Sequence, residues 1–207
     1  MNFDQRTTRE LIQTIADTVI SSADELTELD RAIGDADHGV NLERGFKAVL
    51  AKIDAICARP INDALNEVGK TLILSVGGAS GPLYGKLFAT IGEHLTNPDE
   101  LTKERIVSAC EQAIRVIKAL GRSDVGHKTM LDVLVPSLEQ LRSGNGRSSL
   151  RDVRERACAA AEETIPMIAQ SGRASYLRER SQGHMDPGAR SSQLIVIAVC
   201  SFLEARL

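Results

Sequence analysis

In Leu11-Ile12-Gln13-Thr14-Ile15-Ala16-Asp17-Thr18-Val19-Ile20-Ser21-Ser22-Ala23-Asp24-Glu25-Leu26-Thr27-Glu28-Leu29, the residues Leu11, Ile15, Val19, Ser22, Leu26 and Leu29 recur at steps of three and four. That spacing draws one apolar stripe along a long helix of 3.6 residues per turn. The pattern returns downstream in Leu42, Phe46, Val49, Ile53 and Ile56, and again in Leu65, Val68 and Leu72 of a third helix over about 62–76. A fourth helix begins near Pro82, which suits a first helical turn, and carries Leu83, Leu87, Ile91 and Leu95. After the Thr96-Asn97-Pro98 turn, Thr102 can cap a fifth with Ile106, Cys110, Ala113 and Ile117 inward. A sixth covers about 130–142, with a kink expected at Pro136. Beyond the loop Ser143-Gly144-Asn145-Gly146, Ser149 and Asp152 resemble a capping box for a seventh, and the eighth runs from about Gly188 to the end. No run alternates long enough for a sheet. The chain therefore reads as all-α: one domain over 1–207, an up-and-down antiparallel bundle of eight helices.

Composition agrees. Of 207 residues, 43% are apolar and 26% charged, ordinary globular usage. Aromatics are only 3%, with no Trp, so the core falls to Leu, Ile, Val and Ala, which favours helices over a β-sandwich. A net charge of −3 speaks against a dedicated nucleic-acid binder. Cys57, Cys110, Cys158 and Cys200 form no CxxC pair and sit among Ala, Ile or Val, which reads as reduced buried thiols. The polar N-terminus has no signal-peptide core, and the longest apolar run, Leu194 to Cys200, is too short to span a bilayer. The expectation is a soluble cytoplasmic protein.

The charge is uneven. Residues 1–50 hold ten acidic against five basic side chains; residues 141–207 hold seven acidic against ten basic, all Arg. Glycines gather in four loops, Gly34–Gly39, Gly77–Gly85, Gly121–Gly126 and Gly183–Gly188. They follow the first, third, fifth and seventh helices. In an up-and-down bundle such loops share one end, which makes that end the expected binding face.

The first loop brings Asp30, Asp35 and Asp37 together around Gly34. Three carboxylates so close repel unless a cation sits between them, and an all-oxygen set suits Mg²⁺ or Ca²⁺ rather than zinc. It is no EF-hand, since the sixth position from Asp35 is Val40 and the twelfth Phe46. Mg²⁺ commonly shares its shell with phosphates, which points to a nucleotide; an acidic loop capping the second helix would look similar. His38 can cap a helix or stack on a base. The second loop, Gly77-Gly78-Ala79-Ser80-Gly81-Pro82, offers backbone N–H groups to a phosphate, but it also describes an ordinary interhelical turn.

The third loop nearly matches a P-loop, but His127 is one residue too many between Gly126 and Lys128, and a helical stripe precedes it instead of a strand. Gly121, Lys128, Thr129 and Met130 can still border a nucleotide, with Met130 packing on a purine. In the fourth, Arg173, Arg178 and Arg180 are permanently charged forks suited to phosphate oxygens, and Asp186-Pro187-Gly188 is a turn that starts a helix. An ordinary solvated Arg-rich loop would read the same.

Taken in order, Asp30-Arg31-Ala32-Ile33-Gly34-Asp35-Ala36-Asp37-His38-Gly39-Val40-Asn41, Gly77-Gly78-Ala79-Ser80-Gly81-Pro82, Lys128-Thr129-Met130-Leu131-Asp132, and Gly172-Arg173-Ala174-Ser175-Tyr176-Leu177 through Asp186-Pro187-Gly188-Ala189 resemble the nucleotide-binding L subunit of dihydroxyacetone kinase, the DhaL family. The match runs from about residue 10 to the C-terminus. The resemblance implies an eight-helix barrel with nucleotide and metal at one open end. It implies two Mg²⁺ ions on Asp30, Asp35 and Asp37, and ADP or ATP contacts at His38, Gly39, Val40, Asn41, Ala79, Ser80, Gly121, Met130, Arg178, Asp186, Pro187 and Gly188. The family commonly has Gly-Asp-Lys-Thr-Met where this chain has Gly126-His127-Lys128-Thr129-Met130, so His127 stays outside the expected site.

The activity so implied is Mg²⁺-dependent phosphoryl transfer to dihydroxyacetone held on a separate K subunit, with no catalytic side chain of this chain's own. A stand-alone chain fits the phosphoenolpyruvate-dependent arrangement, in which bound ADP is recharged by a phosphocarrier M subunit. Neither a membrane nor nucleic acid is implied as a direct partner, and a homodimer is left open. Two other readings use the same residues: a kinase subunit for another small ketose such as erythrulose, and a nucleotide-sensing regulatory subunit. A Mg²⁺-dependent phosphatase lacks an obvious nucleophile or water-activating base.

Overall fold

The computed structural model describes residues 3–95, 101–144 and 148–206, without the side chain of Ser148. Among them it is all helical, with no strand. The helices are α1 Gln5–Ser21, α2 Ala23–Ile33, α3 His38–Leu50, α4 Ile53–Cys57, α5 Ile61–Ser75, α6 Ser80–His94, α7 Lys103–Gly121, α8 Leu131–Ser143, α9 Ser148–Glu163 and α10 Pro187–Glu204, with a 3₁₀ segment at Arg173–Ser181. The turn at Thr96-Asn97-Pro98 and the loop residues Asn145 and Gly146 lie outside the described residues.

Among the described residues ten α-helices stand where the periodicity predicts eight, because the first two expected helices are each broken once. Along α1, the hydroxyls of Thr14, Thr18 and Ser22 donate to the carbonyls of Glu10, Thr14 and Thr18 at 2.7, 2.7 and 2.9 Å. Such back-bonding competes with the helical ladder and bends it. At Ser22 the N–H turns to the carbonyl of Val19 (3.2 Å) and the run restarts as α2. The second break falls at Ala51–Lys52, where the Lys52 N–H reaches Val49 in a tightened final turn. Elsewhere, Thr102 accepts from the N–H of Arg105 as a cap, and α8 continues through Pro136 to Ser143. The capping box expected at Ser149 does not form. The helix already includes Ser148, and among the described residues the buried Ser149 hydroxyl has no partner.

The helices pack in chain order, α3 on α5, α5 on α6, then α6 to α10 each on the next. α10 returns against α1 and α2, which rest on α3, so the ring closes. Leu42, Phe46, Leu72, Phe88, Ile117, Leu131 and Leu194 meet inside it. Burying each such side chain is worth about 1.5–3 kcal/mol relative to exposure. The α5–α6 wall is the tightest. A β-carbon on Gly69 would fall on the Gly85 carbonyl and the Ala89 nitrogen, so the two backbones touch there. Gly85, assigned above to the second loop, belongs to this helical wall. No described helix is long and apolar enough to cross a membrane.

Candidate functional site

Because ring neighbours alternate in direction, the four glycine loops emerge together, and hydrogen bonds and close approaches join them. The first loop is built on Asp30, in the last turn of α2. Its carboxylate is buried, and Oδ2 accepts the N–H groups of Asp37 (2.9 Å) and His38 (3.2 Å), at the start of α3. A β-carbon at Gly34 would strike the other carboxylate oxygen, so only glycine lets the chain fold back over Asp30. One oxygen from each of Asp30, Asp35 and Asp37 lies within 4.8 Å of the others. This set fits a hard divalent cation. A guanidinium also reaches the trio: Arg173 from the fourth loop pairs with Asp35 at 3.0 Å.

His38 is a core residue more than a surface ligand. Its Nδ1 meets the Ser80 hydroxyl at 3.0 Å and its Nε2 that of Ser191 at 2.9 Å, tying α3 to α6 and α10. Burial holds the imidazole below its ordinary pKa against the pull of Asp30 and Asp37, so the ring is neutral. Beside it the buried Tyr84 hydroxyl contacts the Gly188 carbonyl (3.0 Å) and the hydroxyls of Ser191 (2.7 Å) and Ser192 (2.8 Å). Burial pushes that phenol up to about 12.

In the third loop, Asp132 accepts the N–H groups of Gly126 (2.5 Å) and Thr129 (2.7 Å), closing the turn onto α8. Lys128, read above as a nucleotide neighbour, points inward instead. It is 1% exposed, and its Nζ donates to the carbonyls of Ser181, His184 and Met167 at 2.7, 2.6 and 3.1 Å, with Ile165 at 3.5 Å. His127 sits on the seam of the third and fourth loops, where its carbonyl accepts the Gln170 N–H at 3.2 Å. In the fourth loop, Asp186 caps α10 by accepting the Ala189 N–H at 2.7 Å. Burial raises this carboxyl to about 7, with Asp132 and Asp30 adding to the rise and the Ala189 N–H and Lys128 opposing it.

All the expected residues reach this end. Asn41 accepts from Arg44 at 2.7 Å and stands beside Gly77. Gly39 packs so closely on α2 that a β-carbon would meet the Ala23 carbonyl. Ala79 precedes α6, and Gly121 ends α7 near Leu83. Buried Met130 abuts Gly188, in the turn after Asp186 and Pro187. Arg178 is exposed, with its backbone in the left-handed region at φ 51°. Sequence reasoning missed the roles of Tyr84, Ser191 and Ser181. The pair Ser191-Ser192 at the head of an apolar helix was the available signal. Among the described residues, the exposed large apolar side chains also belong to this end: Val40, Ile73, Leu74, Leu120, Val125, Ile168 and Tyr176.

A closed helical ring thus carries an acidic trio and an Arg-bearing loop at one mouth. The model of the DAK2 domain matches residues 32–201, and the chain belongs to this DhaL-type family. It is 42% identical over 180 residues to the ADP-binding subunit DhaL of the PEP-dependent dihydroxyacetone kinase of Escherichia coli K12, covering 84% of this chain and 86% of that one. A Listeria innocua subunit, DhaL of PEP-dependent dihydroxyacetone kinase 1, is 35% identical over 96% of this chain and 97% of its own length. Among solved structures, the dihydroxyacetone kinase of C. freundii in complex with AMP-PNP and Mg²⁺ superposes with a TM-score of 0.74 over 94% of this chain and a third of that chain. At 24% identity this likeness speaks for the fold.

Proposed function

We propose that residues 1–207 work as one nucleotide-binding domain, the ADP-binding subunit of a phosphoenolpyruvate-dependent dihydroxyacetone kinase in the cytoplasm. The observation that carries the reading is the trio Asp30, Asp35 and Asp37, gathered within 4.8 Å at the mouth shared by four glycine loops. The relatives' names supply the substrate, and their similarity spans most of both chains.

Two Mg²⁺ ions on the trio would supply charge neutralisation for the nucleotide phosphates. The chain's own residues position and shield. Asp30 is fixed by two backbone N–H groups, so its oxygen does not need to reorganise. His38-Gly39-Val40-Asn41, Ala79, Ser80 and Gly121 would line the nucleotide, Met130 would pack against the base, and the Asp186-Pro187-Gly188 turn would close the far side. Arg178 reaches the phosphates. No side chain is needed as nucleophile or base, because phosphoryl transfer asks chiefly for alignment and electrostatic support. The acceptor hydroxyl comes with the K subunit, for which the exposed apolar rim from Val40 to Tyr176 is the docking face. An M subunit would recharge ADP held at this mouth.

The test mixes this chain with a dihydroxyacetone-loaded K subunit and ATP. Appearance of dihydroxyacetone phosphate supports the reading; a nucleotide-dependent complex that forms no sugar phosphate selects the regulatory reading instead. Running erythrulose in parallel assigns the ketose. Retention of ADP through dialysis by protein purified without added nucleotide marks it as a resident cofactor.

A further inference from the structure

Lys128 spends its charge inside the protein. The residue stands in the left-handed region at φ 60°, next to Gly126 at φ 89°, a backbone that a non-glycine residue adopts at a cost. It is held there by its side chain, whose ammonium is ringed by carbonyls from Ile165, Met167, Ser181 and His184. These four oxygens come from both ends of the segment that leaves α9 and returns at α10. Ile165 keeps a second donor, the Gly183 N–H at 2.8 Å, but without the ammonium the carbonyls of Met167, Ser181 and His184 would lose the donor they share, which is costly in a buried site.

What the ring fixes is Arg178. The Ser181 carbonyl is one of the acceptors, and the Ser181 hydroxyl, fully buried, donates to the Arg178 carbonyl at 2.6 Å while receiving the Ala169 N–H at 2.9 Å. Arg178 itself is strained, at φ 51° and ψ −124°, and breaks the 3₁₀ segment. Such a conformation persists only where its surroundings over-determine it. We infer that Lys128 is a positioning residue: through Ser181 it locks the strained Arg178 backbone and so aims the exposed guanidinium at the nucleotide phosphates. This rests on the proposed contact between Arg178 and the nucleotide.

The experiment measures affinity for Mg-ADP and, by NMR titration, for adenosine, which has no phosphate. Lys128→Met should weaken Mg-ADP about tenfold, the scale of lost support behind a ligand-contacting residue, and leave adenosine within about twofold. In an Arg178→Ala background the same substitution should cost nothing further for Mg-ADP, although its effect on thermal stability remains. Equal losses for the two ligands, or a full tenfold loss on top of Arg178→Ala, would overturn the inference. If Lys128→Met does not fold, Ser181→Ala carries the same comparisons with the same expected outcomes. An unchanged Mg-ADP affinity in Arg178→Ala defeats the phosphate contact and with it the inference. A weakened Arg178→Ala beside an unaffected Lys128→Met or Ser181→Ala defeats the inference alone.

Discussion

The two ends of the helical ring are made differently. At the end away from the loops, chain segments are fastened by ordinary devices: Asp4 caps α1, Lys103 donates to the carbonyls of Arg142 and Gly144 at the close of α8, and Arg206 pairs with Glu10 while lying over the Phe202 ring. At the loop end, among the described residues, stand every positive-φ position, including the non-glycine Ala36, Arg122, Lys128 and Arg178, and every exposed large apolar side chain. Strain and uncovered apolar surface both cost stability. Their segregation places stability in the helical walls and far turns and strain at the mouth.

The largest effect on binding should come from the charge at the mouth. Asp35→Asn keeps the shape of the loop and removes one negative charge, and Mg-ADP affinity should fall about 100-fold with an unchanged helical spectrum. Calorimetric titration finding undiminished affinity would remove Asp35 from the site and the mouth would lose its distinction.

Asp186 sharpens the contrast through pH. Its folded pKa, about 7, lies above the ordinary 3.8, so the folded state holds a proton that the unfolded state releases between those values. The associated stability is complete below about 3.8 and is lost as pH rises through about 7. Asn caps helices as well as Asp. Asp186→Asn should therefore match the wild type near pH 4 and exceed it at pH 8 by about 4 kcal/mol. Melting curves with no pH-dependent gap would show that the carboxyl is charged throughout.

Tyr84→Phe removes a hydroxyl bonded to Gly188, Ser191 and Ser192 and should cost about 1–2 kcal/mol in denaturant unfolding. A neutral result would mean that the two serines satisfy each other and the carbonyl unaided. The smallest effect belongs to the far end. Glu10→Ala breaks surface ion pairs with Arg6 and Arg206, which solvent screens, and should leave the melting temperature nearly unchanged, with Mg-ADP affinity unmoved. Any change in nucleotide binding from that position would dissolve the division between the ends.

The walls were legible because apolar periodicity reports burial directly: Leu42, Phe46 and Leu72 were placed inward from spacing, and there they are. The shared mouth followed from loop parity. The breaks at Ser22 and Lys52 did not show, since the stripe runs across them and hydroxyl back-bonding leaves no mark in periodicity. Lys128 was misplaced for a related reason. A lysine is ordinarily an outward cation, and only a positive φ, invisible in the sequence, turns this one inward. His38 was weighed as cap or base-stacker, whereas its partners, 42 and 153 residues away, make it a joint between helices.

That joint has one more property. A neutral imidazole carries a single N–H, so of the two serines flanking His38 one must accept and the other must donate. The ring's tautomer is thereby coupled to the direction of the Ser191 proton, and Ser191 in turn touches the Tyr84 phenol and the carbonyls of Pro187 and Gly188. Ser80, at the rim where a phosphate would rest, thus stands at one terminus of a polar relay whose other terminus is the turn that starts α10. A ligand that takes the Ser80 proton leaves that oxygen to accept from Nδ1, which selects the tautomer whose Nε2 accepts the Ser191 proton.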